Sequence, residues 1–334
     1  MSNAVVTLEM VAKLAGVSPS TVSRILNGTA KVSPERKKAV DHAIAKLGFV
    51  PNPVARGLAG GRTLSIGVVT QAIDSPFYGS ALRGIEERLV PRGYSPLFVS
   101  GQWNAEAEAH CLEVLRARRV DGIIFFSGRI SDKVLKNYAR GMPMVVTGRK
   151  IKASGLVSLN CDNVEGARVA TRHLLDLGHR QIAFISGDPG HADALDRLQG
   201  YKNALAEAAI PFDPELVAEG GYHEASGLHA VHDLLAKGKR FTALFAANDQ
   251  MAIGALLGLN RHSLRVPEDV SLIGYDDLQS SLFSCPPLSS VHQSAHELGQ
   301  LAADAMLSLL AGQQPDIRVP VPRLVSRESC RRLR

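Results

Sequence analysis

Apolar residues near the start of the chain recur three and four positions apart, the spacing of a helix with one buried face. Leu8, Val11, Ala12 and Ala15 share such a face, Thr7 can cap the helix, and Gly16 can supply a tight turn. Ser18 then reads as an N-cap and Pro19 as the first residue of a second helix running to Asn27-Gly28, with Val22, Ile25 and Leu26 inward. Ser33-Pro34 repeats the cap-plus-proline signal. A third helix follows with Ala39, Val40, Ala43, Ile44 and Leu47 on one side, ending at Gly48. Two short helices around a small-residue turn, closed by a third, predict a helix-turn-helix. A plain three-helix bundle is the alternative on this pattern alone.

From Leu64 the pattern changes to short β-rich apolar runs alternating with helical stretches. Strands are expected over 64–70, 94–99, 120–126 and 144–147, with helices over 77–90, 105–118 and 132–140. A second set has strands over 181–185, 216–219, 242–246 and 270–274. Its helices are expected over 164–177, 195–209, 225–235, 251–259 and 278–283. One more helix (298–311) and an extended segment (317–325) complete the reading. Such alternation predicts an α/β fold of parallel sheets covered by helices, here as two lobes. Ligands of such sheets bind beyond the carboxyl ends of the strands, so two facing lobes predict a cleft.

Composition narrows the class. A chain of 334 residues with 45% hydrophobic residues suits two or three globular cores. No apolar run approaches the roughly 18 to 20 residues that span a membrane, and the N-terminus has no signal-peptide pattern. The four cysteines, Cys111, Cys161, Cys285 and Cys330, are scattered, which suits reduced thiols in a cytoplasmic protein. Charge is uneven: residues 1–62 hold nine Lys/Arg and three Asp/Glu, and the remainder holds 29 of each. The whole positive excess lies in the first fifth of the chain, which contains the predicted helix-turn-helix, and suits a polyphosphate partner, although a solvated basic surface would look the same by charge alone. No G-x-S-x-G, H-E-x-x-H, Walker A or G-x-G-x-x-G pattern occurs, and the eleven histidines are dispersed. No enzyme activity, cofactor or metal is expected, and His173 and His179 read as structural.

The segment Val11-Ala12-Lys13-Leu14-Ala15-Gly16-Val17-Ser18-Pro19-Ser20-Thr21-Val22-Ser23-Arg24-Ile25-Leu26-Asn27-Gly28 resembles the headpiece signature of the lac-repressor/galactose-repressor family. Residues 48–58, Gly48-Phe49-Val50-Pro51-Asn52-Pro53-Val54-Ala55-Arg56-Gly57-Leu58, resemble its hinge. Blocks at 178–183, 247–255, 266–277 and 287–291 extend the likeness over nearly the whole chain. The resemblance implies a headpiece over 1–50, a hinge helix and linker over 51–63, and a sensor domain like periplasmic sugar-binding proteins over 64–334. It places lobe 1 at about 64–161 and 292–320, and lobe 2 at about 162–290 and 321–334.

The resemblance also implies a sequence-specific repressor, a homodimer on a near-palindromic double-stranded DNA operator, with affinity set by a small-molecule effector. Base-reading positions fall on Pro19, Ser20 and Arg24, and Pro19 departs from the family by having no side-chain donor. Thr7, Ser18, Thr21, Ser23 and Asn27 complete the headpiece contacts. In the hinge, Asn52, Ala55 and Leu58 are expected at the DNA, Leu58 as a wedge in the minor groove. Effector positions fall on Gln71, Phe77, Arg149, Arg197, Tyr222, Asn248 and Asp276. A structural ion pair is the alternative for Arg197 and Asp276, and plain packing for Phe77 and Tyr222. A carbohydrate is the expected effector, with a purine second, because a base needs aromatic faces and only 5% of the chain is aromatic. An exported binding protein is the rival without DNA; it predicts an export signal and no headpiece.

Overall fold

Thr7 Oγ1 accepts the Met10 N–H at 3.4 Å and starts α1 (Leu8–Ala15). Gly16 ends it at φ +65°, a left-handed conformation that glycine adopts without Cβ cost, and its N–H returns to the last turn. Ser18 Oγ accepts the Thr21 N–H at 3.2 Å and opens α2 (Pro19–Asn27). Ser33 caps α3 (Pro34–Leu47), which Gly48 ends at φ +63°. Val11, Ala12, Val22, Val40, Ala43 and Phe49 form the core of this small unit. Ala39, expected on the inner face of α3, is exposed, because that face turns through Val40, Ala43 and Ile44 instead.

The computed structural model describes residues 6–27, 32–49 and 62–333, and the chain divides into two units at Ser65/Ile66. The hinge positions Asn52, Ala55 and Leu58 lie outside the described residues.

The larger unit opens with β1 (Ser65–Thr70), α4 (Pro76–Leu89), β2 (Ser95–Ser100), α5 (Ala105–Ala117), β3 (Gly122–Phe125), α6 (Asp132–Ala139), β4 (Met144–Thr147) and β5 (Leu156–Leu159). These strands form one sheet in the order β2-β1-β3-β4-β5. Alternate residues of its strands enter two different cores. Ile66, Val68, Ile124 and Val145 face one, and Val69, Ile123, Phe125, Met144 and Val146 face the other. Burial on both faces is why these strands read as unbroken apolar runs.

The second lobe contains α7 (Asn163–Asp176), β6 (Ile182–Ser186), α8 (Ala192–Glu207), β7 (Val217–Glu219), α9 (Glu224–Ala236), β8 (Ala243–Ala246), α10 (Asp249–Arg261), β9 (Ser271–Asp276), α11 (Gln279–Leu282) and β10 (Ser289–His292). Its sheet runs β11-β10-β9-β8-β6-β7, where β11 (Arg323–Val325) is antiparallel to β10 and the other pairings are parallel. Between β10 and β11 the chain returns to the first lobe as α12 (Ala295–Leu310), whose Leu298, Ala302 and Met306 enter that core. A Cβ on Gly84 would fall against the His296 carbonyl, and one on Gly299 against that of Ala81, so α4 and α12 meet backbone to backbone. The lobes are thus joined at 160–162, 293–294 and 311–322.

Candidate functional site

In the smaller unit, Ser18, Pro19 and Ser20 open α2 on its exposed side, and Arg24 lies exposed one turn later. Thr7 is exposed, and Thr21 and Ser23 are half-buried. Ser18 Oγ also lies 2.9 Å from Ser20 Oγ and 2.8 Å from Thr21 Oγ1, so this short polar cluster is ordered around the helix start. A cationic side chain one turn into a helix with a slim, polar N-terminus is the shape that enters a major groove.

In the larger unit, the carboxyl ends of both sheets face a cavity of about 540 Å³. Of the seven expected effector residues, Phe77, Arg197, Tyr222, Asn248 and Asp276 line it. Gln71 and Arg149 do not. Gln71 is buried, donating through Nε2 to the Phe126 carbonyl and accepting the Trp103 N–H at 3.0 Å. Arg149 is bound to the Ile130 carbonyl and to Asp132 Oδ1. Both therefore lie outside this lining, with the Gln71 amide engaged at both ends and Arg149 bound through Nη1 within the first lobe.

Arg197 projects from the start of α8 and is 4% exposed. Its Nε donates to Asn163 Oδ1 at 2.9 Å, its Nη1 to the Ala247 carbonyl, and its plane lies 3.8 Å from the Tyr275 ring centroid. Its Nη2 stands 3.7 Å from Asp276 Oδ1, too long for a hydrogen bond. Asn163 in turn donates to Asp193 Oδ1 at 3.1 Å. Burial pushes the Asp276 carboxyl up to about 8, against the lowering effect of Arg197. Burial raises Asp193 as well.

Asp276 is set by its neighbours. It has φ +100° and Asp277 has φ +54°. Asp277 is pinned by Arg327, by His292 Nδ1 at 2.8 Å and by a bond from its own N–H to Ser290 Oγ. Tyr222 (φ +62°) and Trp103 (φ +52°), also in the lining, share this left-handed backbone, which costs L residues of order 1–2 kcal/mol each. Three such residues around one cavity mark it as a place where geometry is held for a purpose.

Sequence reasoning missed Tyr78, Trp103, His191, Asp193 and Gln293, all in the lining. Trp103 follows β2 in the first lobe and His191 precedes α8 in the second; their rings stack at 3.7 Å and 22°. The Tyr222 ring is also nearly parallel to His191, at a centroid distance of 5.7 Å. Although aromatics are scarce overall, the cleft gathers Phe77, Tyr78, Trp103 and Tyr222, so scarcity is no argument against a planar ligand. The signal for Trp103 was available: it is the only tryptophan of the chain and lies in the loop after a predicted strand, 94–99.

Nine buried side-chain polar atoms have no hydrogen-bond partner among the described residues, and five belong to this lining. They are His191 Nδ1 and Nε2, Tyr222 Oη, Asp276 Oδ1 and Gln293 Oε1. Buried polar groups are ordinarily satisfied, so their concentration here describes a surface complementary to a polar ligand. No group of three or more His, Cys, Asp or Glu suited to a metal ion occurs among the described residues.

Residues 7–52 match the model for bacterial regulatory proteins of the lacI family, and residues 171–330 match that for a periplasmic binding protein-like domain. The HTH-type transcriptional repressor PurR of Haemophilus influenzae is 35% identical over 97% of this chain and 98% of its own length. The chain belongs to the lacI family. Among solved structures, the lac repressor bound to ONPG in the repressed state superposes with a TM-score of 0.88, at 32% identity over 97% of this chain and 99% of that one. A cellobiose complex of the transcriptional regulator CelR gives 0.73, at 34% identity over 97% and 99%.

Family membership makes the smaller unit the DNA-binding headpiece and the larger one the effector-binding domain of a transcriptional repressor; the protein is not an enzyme. No described helix is long and apolar enough to cross a membrane.

Proposed function

We propose that a small carbohydrate bound between the two lobes sets the affinity of this repressor, as a cytoplasmic homodimer, for a near-palindromic operator. The observation that supports it is the set of unpartnered polar atoms in the cleft. Gln293 Oε1 can only accept, Asp276 Oδ1 accepts when its carboxyl is ionised, and Tyr222 Oη can do either. Hydroxyl groups, which donate and accept, answer such a set one for one, and the Phe77 ring offers an apolar face beside them. On the DNA side, Ser20 and Arg24 are the readers, Arg24 by paired bonds to a guanine edge.

A purine is the second reading, favoured by the similarity to PurR and by the rings in the cleft. Against it, Trp103 and His191 stack directly on each other, leaving no gap for a base between them. Calorimetry of the full chain with a sugar panel and with hypoxanthine, guanine and adenine, followed by operator binding with each binder present, tests the reading. Tight purine binding with no sugar response overturns it.

A further inference from the structure

The charged groups of the cleft are strongly unbalanced. Asp74, Asp193, Glu224 and Asp276 line it against a single cation, Arg197, with no lysine among the described lining residues. Arg197 has little to offer an anion: Nε and Nη1 are taken by Asn163 and Ala247, its face lies on Tyr275, and only Nη2 turns toward Asp276. The two histidines do not redress the balance. His223 Nδ1 is engaged by the Ser226 N–H at 3.2 Å, and burial lowers His191.

Helix N-termini converge on the cleft and would favour a negative ligand. Those places are already filled from within. Asp193 stands in the first turn of α8 and Glu224 in that of α9, while Asp74 lies two residues before the first residue of α4. Asp74 and Glu224 are exposed at the rim, where an arriving solute passes them first; Asp193 and Asp276 lie deeper. A protonated Asp276 still leaves three carboxylates facing one guanidinium.

We infer that the effector is an uncharged sugar or glycoside, and that the cleft rejects sugar acids and sugar phosphates by charge. This rests on the carbohydrate reading above and narrows it. Asp276 serves both readings, but Asp74, Asp193 and Glu224 are not among the unpartnered hydroxyl-binding atoms, so the two can fail separately. An anionic group placed among these carboxylates loses on the order of tenfold or more in affinity relative to its neutral counterpart.

The test is calorimetry of the full chain against two sets. Glucose, galactose, sucrose, maltose and cellobiose form the neutral one; gluconate, glucuronate, glucose 6-phosphate and sucrose 6-phosphate form the anionic one. The expected result is binding confined to neutral sugars, or at least about tenfold tighter for the neutral member of a pair. In Asp74→Asn/Glu224→Gln the neutral-to-anionic affinity ratio should fall, and raising salt from about 0.05 to 0.5 M should lower it in the wild type. An anionic sugar that binds as tightly as its neutral counterpart overturns the inference and leaves the carbohydrate reading standing. Binding by purines alone, or by no sugar of either set, overturns both.

Discussion

Trp103 and His191 stack across the cleft, one ring from each lobe, at a centroid distance of 3.7 Å. Beside them Arg129 of the first lobe pairs with Asp188 of the second, and Ser75 Oγ donates to Gln250 Oε1 at 3.3 Å. These contacts bridge the lobes at the cleft, so lobe separation or a ligand bound there should change the surroundings of one indole. As Trp103 is the only tryptophan, its emission should shift when the effector binds, and Gln71→Ala, which frees the Trp103 N–H, should weaken effector binding by about 1–3 kcal/mol. Emission unmoved at saturation would remove Trp103 from the site.

Asp276 makes the affinity depend on pH. A ligand hydroxyl that donates to it favours the ionised carboxylate, so binding expels a proton wherever the free protein still holds one. Burial sets that point at about 8, with Asp249 and Asp193 raising it and Arg197 opposing. Affinity should therefore climb as pH rises toward 8, by up to about tenfold per pH unit, and level off above it. In Asp276→Asn the slope should vanish along with most of the affinity. Calorimetry from pH 6 to 9 reads both effects.

Gly187 offers a way to reach Tyr222 without touching it. A Cβ at 187 would overlap the Tyr222 ring. Gly187→Ala should displace that ring, lower stability by about 1–3 kcal/mol and cut effector affinity several-fold. Operator binding without effector should remain, because the headpiece core is built from residues 6–49 alone. Thermal unfolding, calorimetry and gel shift separate the three effects.

Arg24→Ala should cost about 1–3 kcal/mol of discrimination at one base pair in each half-site, and the lost preference identifies the base that Arg24 reads. A chain beginning at Ile66 should bind effector and show no operator affinity. Specific operator binding by that truncated chain would contradict the assignment of the headpiece.

Elements that advertise themselves by periodicity were legible: the three headpiece helices with their caps, and the apolar strands of both sheets except the short β5 (Leu156–Leu159). The strand β10 was not, because its sequence, Ser-Ser-Val-His, looks like a loop. It is a buried strand all the same. Ser289 Oγ accepts the Arg327 N–H, and Ser290 Oγ bonds Asp249 Oδ1, so the hydroxyls are satisfied by residues distant in sequence. Burial there also pushes Asp249 up to about 6. The cleft divides in the same way. Asp276 and Arg197 carry local motifs, whereas His191 just before α8, Asp193 in its first turn and Gln293 at a lobe crossing acquire their meaning only when the two sheets face each other.

The residues that complete both lobes come last in the chain. Helix α12 closes the first lobe from beyond residue 294, and the closing segment after it stitches the second. Ser329 links Leu272 to Ser289, Arg331 meets Ser271 and His179, and the Leu333 N–H donates to the Leu177 carbonyl. On the ribosome, where folding proceeds from the N-terminus, the headpiece can assemble early, while both sensor lobes wait until residues 295–333 have been made. A nascent chain of this repressor thus gains the part that holds DNA before the part that regulates that hold.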